Sequence, residues 1–178
     1  YDGSNPFGDL EAGAGLTGDD KWHHGIYQRN GAVFSMFLDG QLANTTISST
    51  AAQSVSGTNA GVTTSYYDGG AHASMDGYLD EMRISNFARY GNIDIPTAPL
   101  NTWQTAGRGQ NALLPHHTKL LIQANSSTTT SSTIVDQSGR HSVTVNGAVH
   151  SQGKTIFGNT AIYFDGTNDY LEIPDSAD

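Results

Sequence analysis

Residues 77–90 read Gly77-Tyr78-Leu79-Asp80-Glu81-Met82-Arg83-Ile84-Ser85-Asn86-Phe87-Ala88-Arg89-Tyr90. As a strand from 77 to 85, the stretch alternates with period two. Tyr78, Asp80, Met82 and Ile84 share one face; Leu79, Glu81, Arg83 and Ser85 share the other. A carboxylate, Asp80, thus falls on an apolar face, where an unpaired charge is costly. Asp80 therefore needs a partner: backbone amides, a tyrosine hydroxyl or a cation. Roughly eighty residues later comes Ala161-Ile162-Tyr163-Phe164-Asp165-Gly166-Thr167-Asn168-Asp169-Tyr170-Leu171-Glu172-Ile173-Pro174. It reads as a hairpin with Asp165 to Asp169 as its turn.

Outward from these two stretches the pattern is the same. Residues 22–29 (Trp-His-His-Gly-Ile-Tyr-Gln-Arg) form a strand, and Asn30-Gly31 is a strong hairpin signal leading into Ala32 to Leu38. A second turn at Asp39-Gly40 starts a return strand through Leu42. Residues 44–75 are polar and Gly-rich, predicting short strands and loops. Asn86 to Tyr90 reads as one helical turn, and Ile95 to Pro99 as extended chain. Residues 100–117 carry Gly107, Gly109 and Pro115 without periodicity and read as a linker. A new strand opens at Thr118 to Gln123. The tract Ser126 to Thr133 is too polar to pack and reads as a loop. Short strands follow at 134–136, 142–145 and 148–149. The predicted core comprises Trp22, Ile26, Phe34, Met36, Leu38, Leu79, Met82, Ile84, Leu120, Ile122, Val143, Val145, Ile162, Phe164, Leu171 and Ile173. The fold class is all-β: an antiparallel two-sheet sandwich of many short strands.

The 178 residues suffice for about one large sandwich. Only 14 % are charged, and the net charge of −9 comes from few Lys and Arg rather than from acidic runs. A basic phosphate-binding stripe is not expected, and neither is nucleic acid as a partner. No apolar run approaches the roughly 20 residues of a membrane span. There are no cysteines, so no disulfide or thiolate metal site holds the fold.

Segment 77–90 resembles the closing strand of laminin-G-like (concanavalin A-like) jelly-roll domains, and 161–174 resembles the opening hairpin of the same family. The ending precedes the beginning, so the halves stand in permuted order. The chain opens at Tyr1, without Met or a signal-peptide pattern, and is expected to be a window cut from a tandem array. Residues 1–99 would be the C-terminal half of one repeat, 100–117 the linker and 118–178 the N-terminal half of the next. Repeats worded this way resemble those of virion tail or fibre proteins and bacterial surface proteins. The resemblance implies binding and scaffolding roles, often toward glycans and sometimes with calcium. A half jelly roll cannot cover its own core, so the halves either close on each other as one permuted jelly roll or complete neighbouring copies. A linker that can extend to about 60 Å favours completion between copies. The test is whether 77–85 and 161–173 share one core within a single chain.

The candidate chemistry is sparse. No cofactor is required. Calcium is the natural cation for oxygen ligands, with Asp80, Asp136, Asp165 and Asp169 as its candidate ligands; the alternative is that Asp80 caps loop amides. In each of the pairs His23-His24 and His116-His117, neighbours on a strand point opposite ways and cannot chelate one ion; one His of the first pair is expected beside Trp22 and the other in water. No strand carries the clustered carboxylates of sandwich glucanases, and Asp80-Glu81 point opposite ways, so the chain reads as a non-enzyme. Tyr66, Tyr67, Asp68, His72 and Trp103 are the candidate glycan contacts, and Asn44 and Asn125 open glycosylation sequons. The reading is a structural and adhesive repeat of an extracellular fibre, on a cell-surface filament or a virion. Its partners would be copies of itself or adjacent repeats, head to tail, and glycans. A discrete lectin-like carbohydrate-binding module is the alternative.

Overall fold

The computed structural model describes residues 19–31, 33–47, 59–62, 64–67, 70–86 and 118–174, with side chains described throughout these except at 44–47, 59–62, 64–67 and 70–74. Within these residues the chain is built from strands, turns and bends, with no helix. It divides into two compact units, residues 1–54 with 86–117 and residues 55–85 with 118–178.

The first unit contains a meander of β1 (Gly25–Asn30), β2 (Val33–Leu38) and β3 (Gln41–Ile47). Both turns fall where the sequence predicts them. Gly31 takes a φ of 61° after Asn30, and Asp39 (48°) and Gly40 (80°) both lie in the left-handed region. Two consecutive positive φ values give the primed turn whose twist matches paired strands. Tyr27, Arg29, Phe34 and Met36 fall on one face through the pairs Tyr27↔Met36 and Arg29↔Phe34. Ile26 and Phe37, themselves paired, fall on the other. Phe34 and Phe37 are both 7 % exposed, so each face of this sheet has one covered aromatic.

The second unit draws on two separate stretches of the chain, 55–85 and 118–178. Its strands are β4 (Asn59–Val62), β5 (Thr64–Tyr67), β6 (Gly70–Ser74), β7 (Asp76–Leu79), β8 (Met82–Ser85), β9 (Thr118–Ile122), β10 (Thr144–Asn146), β11 (Val149–Ser151), β12 (Ala161–Asp165) and β13 (Tyr170–Pro174). One sheet runs β10-β13-β4, another β11-β12-β7, with two-stranded pairs β5-β6 and β8-β9. Leu171 and Ile173 of β13 meet Ile162 and Phe164 of β12 and Leu120 and Ile122 of β9 in one core. Leu79, Met82, Val143 and Val145 pack against it. The strand at 77–85 and the hairpin at 161–173 therefore share one core within the chain. Ile162 pairs with Leu79 and Phe164 with Gly77.

The single strand expected over 77–85 is two. Between β7 and β8, Glu81 takes a φ of 49°. A left-handed residue resets the alternation, so Leu79 and Met82, which an unbroken strand would send to opposite faces, both reach the core. Tyr78 turns to the outer face beside Tyr163. Ile84 departs from its predicted burial and is 44 % exposed; no other residue of the predicted core is classed as exposed. The expected strand at 134–136 shrinks to one bridge, Ile122↔Asp136. The Ser/Thr tract is a loop, as expected, but a pinned one: Thr130 N–H donates to the His150 carbonyl and His150 N–H to that of Ser131, both at 2.8 Å. The expectations for 87–117 lie outside the described residues.

Phe164 is fully buried at the centre of this core. Phe164→Ala is expected to destabilise the fold by about 3–5 kcal/mol, measured as a lower urea midpoint at unchanged slope.

Candidate functional site

The carboxylates singled out in the sequence are placed one by one. Asp136, two residues after Ile134, sits 8 % exposed against β9. Its Oδ1 accepts the amides of Leu121 (2.9 Å) and Ser138 (2.8 Å). Its Oδ2 accepts the Ser138 hydroxyl (2.6 Å) and the amides of His141 (3.0 Å) and Arg140 (3.2 Å). Burial alone would raise this carboxyl, but the Ser138 hydroxyl and the surrounding amides outweigh it and hold the group below its ordinary value. Five N–H and O–H donors around one carboxylate are the reverse of a cation site, whose shell must be oxygen acceptors.

Asp80, between β7 and β8, accepts the Phe157 amide through Oδ2 at 3.0 Å. Its Oδ1 is buried without a hydrogen-bond partner. Burial raises this carboxyl above its ordinary value, and the amides of Phe157, Ile156, Glu81 and Ala124 only partly offset that. Asp80 thus caps the loop that leads into β12, the structural alternative to a metal role.

Asp165 and Asp169 come together in the β12–β13 turn. The Asp165 amide donates to Asp169 Oδ2 at 3.0 Å, and Asp165 Oδ1 accepts the Thr167 amide at 2.9 Å. Asp169 is packed on Gly147: a Cβ there would lie 1.7 Å from Asp169 Oδ1, and Gly147 has a φ of 74°. Only glycine suits that position. Among the described residues no three His, Asp or Glu side chains are disposed to hold one metal ion. Both oxygens of Asp136, and one oxygen each of Asp80, Asp165 and Asp169, accept backbone amides.

The histidines also differ from expectation. Neither His23 nor His24 is exposed. His23 lies between two carboxylates, Asp39 and Asp19, and the His24 amide donates to Asp39 Oδ1 at 2.8 Å. His116 and His117 lie outside the described residues. In the second unit the fully buried Thr160 hydroxyl donates to the Ala124 carbonyl (2.8 Å) and accepts the Ser126 amide (2.9 Å). His150 completes that cluster. Its Nε2–H donates to the Thr133 carbonyl at 3.1 Å, and its Nδ1 lies 3.1 Å from Thr160 Oγ1.

Of the predicted glycan contacts, Tyr66 and Tyr67 lie in β5 and His72 in β6, with side chains outside the described set; Asp68 and Trp103 lie outside it altogether. Asn44 lies in β3, and Asn125 is exposed just before the Ser/Thr loop. The structure brings forward other aromatics. Tyr27 is 62 % exposed on the face of β1–β2. Beside it Phe34 lies 5.9 Å away and carries the Arg29 guanidinium 5.3 Å above its ring. In the second unit Tyr78 and Tyr163 are paired across β7 and β12 with ring centroids 5.1 Å apart. Asp76 and Asp165 form the last pair of that ladder. Burial first, then Asp76, Tyr78, Asp165 and Asp169, push the Tyr163 phenol up. Period-two alternation against Ile162 and Phe164 is the sequence signal that could have put Tyr163 on the outer face. For Tyr27 that signal is the exposed side of the first hairpin.

Asp136→Asn is expected to lower stability at neutral pH by at least about 2 kcal/mol, since the amide leaves buried donors unmatched. Because the folded carboxyl lies below its ordinary value of about 3.8, its contribution is present above that value and is lost as pH falls below it. Acid unfolding of the variant should therefore lack this component, which a pH series of melting curves would read.

The Laminin G family model described as the Concanavalin A-like lectin/glucanases superfamily matches residues 2–91. No curated protein and no solved structure matches the chain. Domains of this family are typically extracellular, and among the described residues no helix is long and apolar enough to cross a membrane. The matched stretch covers the meander and runs through β8, and the described strands are all antiparallel. The chain belongs to the laminin G-like family of the concanavalin A-like superfamily.

Proposed function

We propose that this chain is a non-enzymatic structural and adhesive module of an extracellular fibre, on a cell-surface filament or a virion, that binds glycans weakly and gains strength by repetition. The observation that carries the reading is Tyr27, 62 % exposed beside the Arg29–Phe34 stack. An exposed aromatic ring offers a flat apolar surface to the C–H face of a sugar, and a guanidinium offers donors to its hydroxyls. Single contacts of this kind are weak, so tandem copies supply the avidity.

A hydrolase would need two carboxylates about 5–9.5 Å apart across a sugar. The buried carboxylates Asp80, Asp136 and Asp169 serve backbone amides instead, which supports a binding role. Within this reading, the pairing of β12 with β7 is the closure of one permuted jelly roll inside each chain. Contacts between copies, or between adjacent repeats head to tail, then join whole modules rather than half-modules. A discrete lectin-like module is the second reading, favoured if one isolated unit binds a defined sugar on its own.

Tyr27→Ala removes exposed surface and should leave the melting temperature unchanged. It is expected to weaken binding to the best ligand on a glycan array about tenfold, or 1.4 kcal/mol. Unchanged binding would remove Tyr27 from the site, and release of reducing ends from a polysaccharide would overturn the non-enzymatic reading.

A further inference from the structure

His23 stands just before β1 with a carboxylate on each ring nitrogen. Nδ1 lies 2.7 Å from Asp39 Oδ2, and Nε2 lies 3.0 Å from Asp19 Oδ1. An ionised carboxylate can only accept, so each nitrogen meets its partner as N–H. Two such partners select the doubly protonated imidazolium over either neutral tautomer. The same geometry excludes a shared metal, because the two nitrogens point to opposite sides of the ring toward different acids.

The two sides of the ring are not equivalent. Asp39 is fixed independently of His23: its Oδ1 accepts the His24 amide at 2.8 Å, its own amide donates to the His24 carbonyl at 2.9 Å, and it forms the β2–β3 turn. Asp19 is otherwise held by its neighbour Lys21, through the Lys21 amide (3.1 Å) and an exposed ammonium (3.3 Å). Those contacts travel with Asp19. Among the described residues the His23 ring is what ties Asp19 to the turn.

We propose that His23 is a proton-loaded clamp, which as imidazolium latches residues 19–22 onto the β2–β3 turn and on deprotonation keeps Asp39 and releases Asp19. A neutral ring retains one N–H, and the shorter contact to the anchored Asp39 keeps it. The bare Nε2 lone pair then faces the Asp19 carboxylate and repels it. Among the described residues the charged groups facing the ring are Asp39 and Asp19, with Lys21 behind Asp19 and His24 behind Asp39. Asp39 first, then Asp19, hold the imidazole above its ordinary value, and His23 draws the Asp19 carboxyl down to about 2. For a group raised on folding, the stabilisation is present below the ordinary value of about 6.5 and is lost as pH rises through the folded value. The acid limit is set by Asp19. The clamp is therefore shut below the ordinary imidazole value and opens as pH rises through the raised folded value of His23. This stands independently of the adhesive reading.

The test is a ring-nitrogen NMR titration of the full chain, with the nuclear Overhauser contact between the His23 ring and the Asp19 β-protons followed in parallel. At about pH 6 both ring nitrogens should carry protons. As pH rises, Nε2 should lose its proton and the Asp19 contact should vanish over the same range, while the His24 amide stays protected. Asp19→Asn keeps an acceptor oxygen but removes the charge, and it should shift the His23 midpoint downward without unfolding the meander. A neutral ring at that pH, a midpoint unmoved by Asp19→Asn, or an Asp19 contact that survives deprotonation would each overturn the clamp.

Discussion

The second unit depends on a two-residue break, Asp80-Glu81, in what would otherwise be one strand. With Glu81 in the left-handed region the backbone stores about 1–3 kcal/mol of strain, and the surroundings hold it there. Glu81 pairs with Arg83 at 2.8 Å, with side chains 6 % and 15 % exposed, and Asp80 holds the Phe157 amide. The break lets β7 pair with β12 and β8 with β9 while Leu79 and Met82 both cover the same core. An unbroken strand would cover that core with one of them and send the other to water.

A second regularity is how the buried carboxylates are used. Short strands joined by long connections leave many amides at strand ends and in turns without a ladder partner. Asp136 gathers four of them with one hydroxyl, and Asp80 and Asp169 each serve the entry or exit of β12. Thr160 and His150 do the same for the Ser/Thr loop. In a chain with so few charges, these buried polar groups act as internal caps, each replacing a water that the core excludes.

The period-two pattern made the fold class readable, and the Asp-Gly and Asn-Gly turns located the first meander to within a few residues. The predicted core failed only at Ile84, where the β8–β9 register shifts between Ile84 and Ser85. No sequence pattern announces a left-handed glutamate; the conformation is imposed by tertiary pairing with β9 and β12. The candidate site was less legible. The aspartates read either as cation ligands or as caps of loop amides, because loop carboxylates and cap carboxylates have the same local sequence, and only the direction of neighbouring amides separates them. Tyr27 was overlooked because a tyrosine on a strand reads equally well as core or as surface until the opposite face is known.

The pairing of β7 with β12 also sets an order of events during synthesis. β7 and β8 leave the ribosome with their pairing edges open, and their partners β9 and β12 come later, β12 roughly eighty residues on. At ordinary elongation rates of about 5–20 residues per second, β7 waits roughly 4–16 s for β12. Throughout that interval an open strand edge is free to pair with another nascent chain. A module built this way is safest when its later strands arrive soon and from the same polypeptide. The length of chain between β8 and β9 is thus a kinetic setting as well as a connection, because each added residue lengthens the exposure of an unfinished sheet.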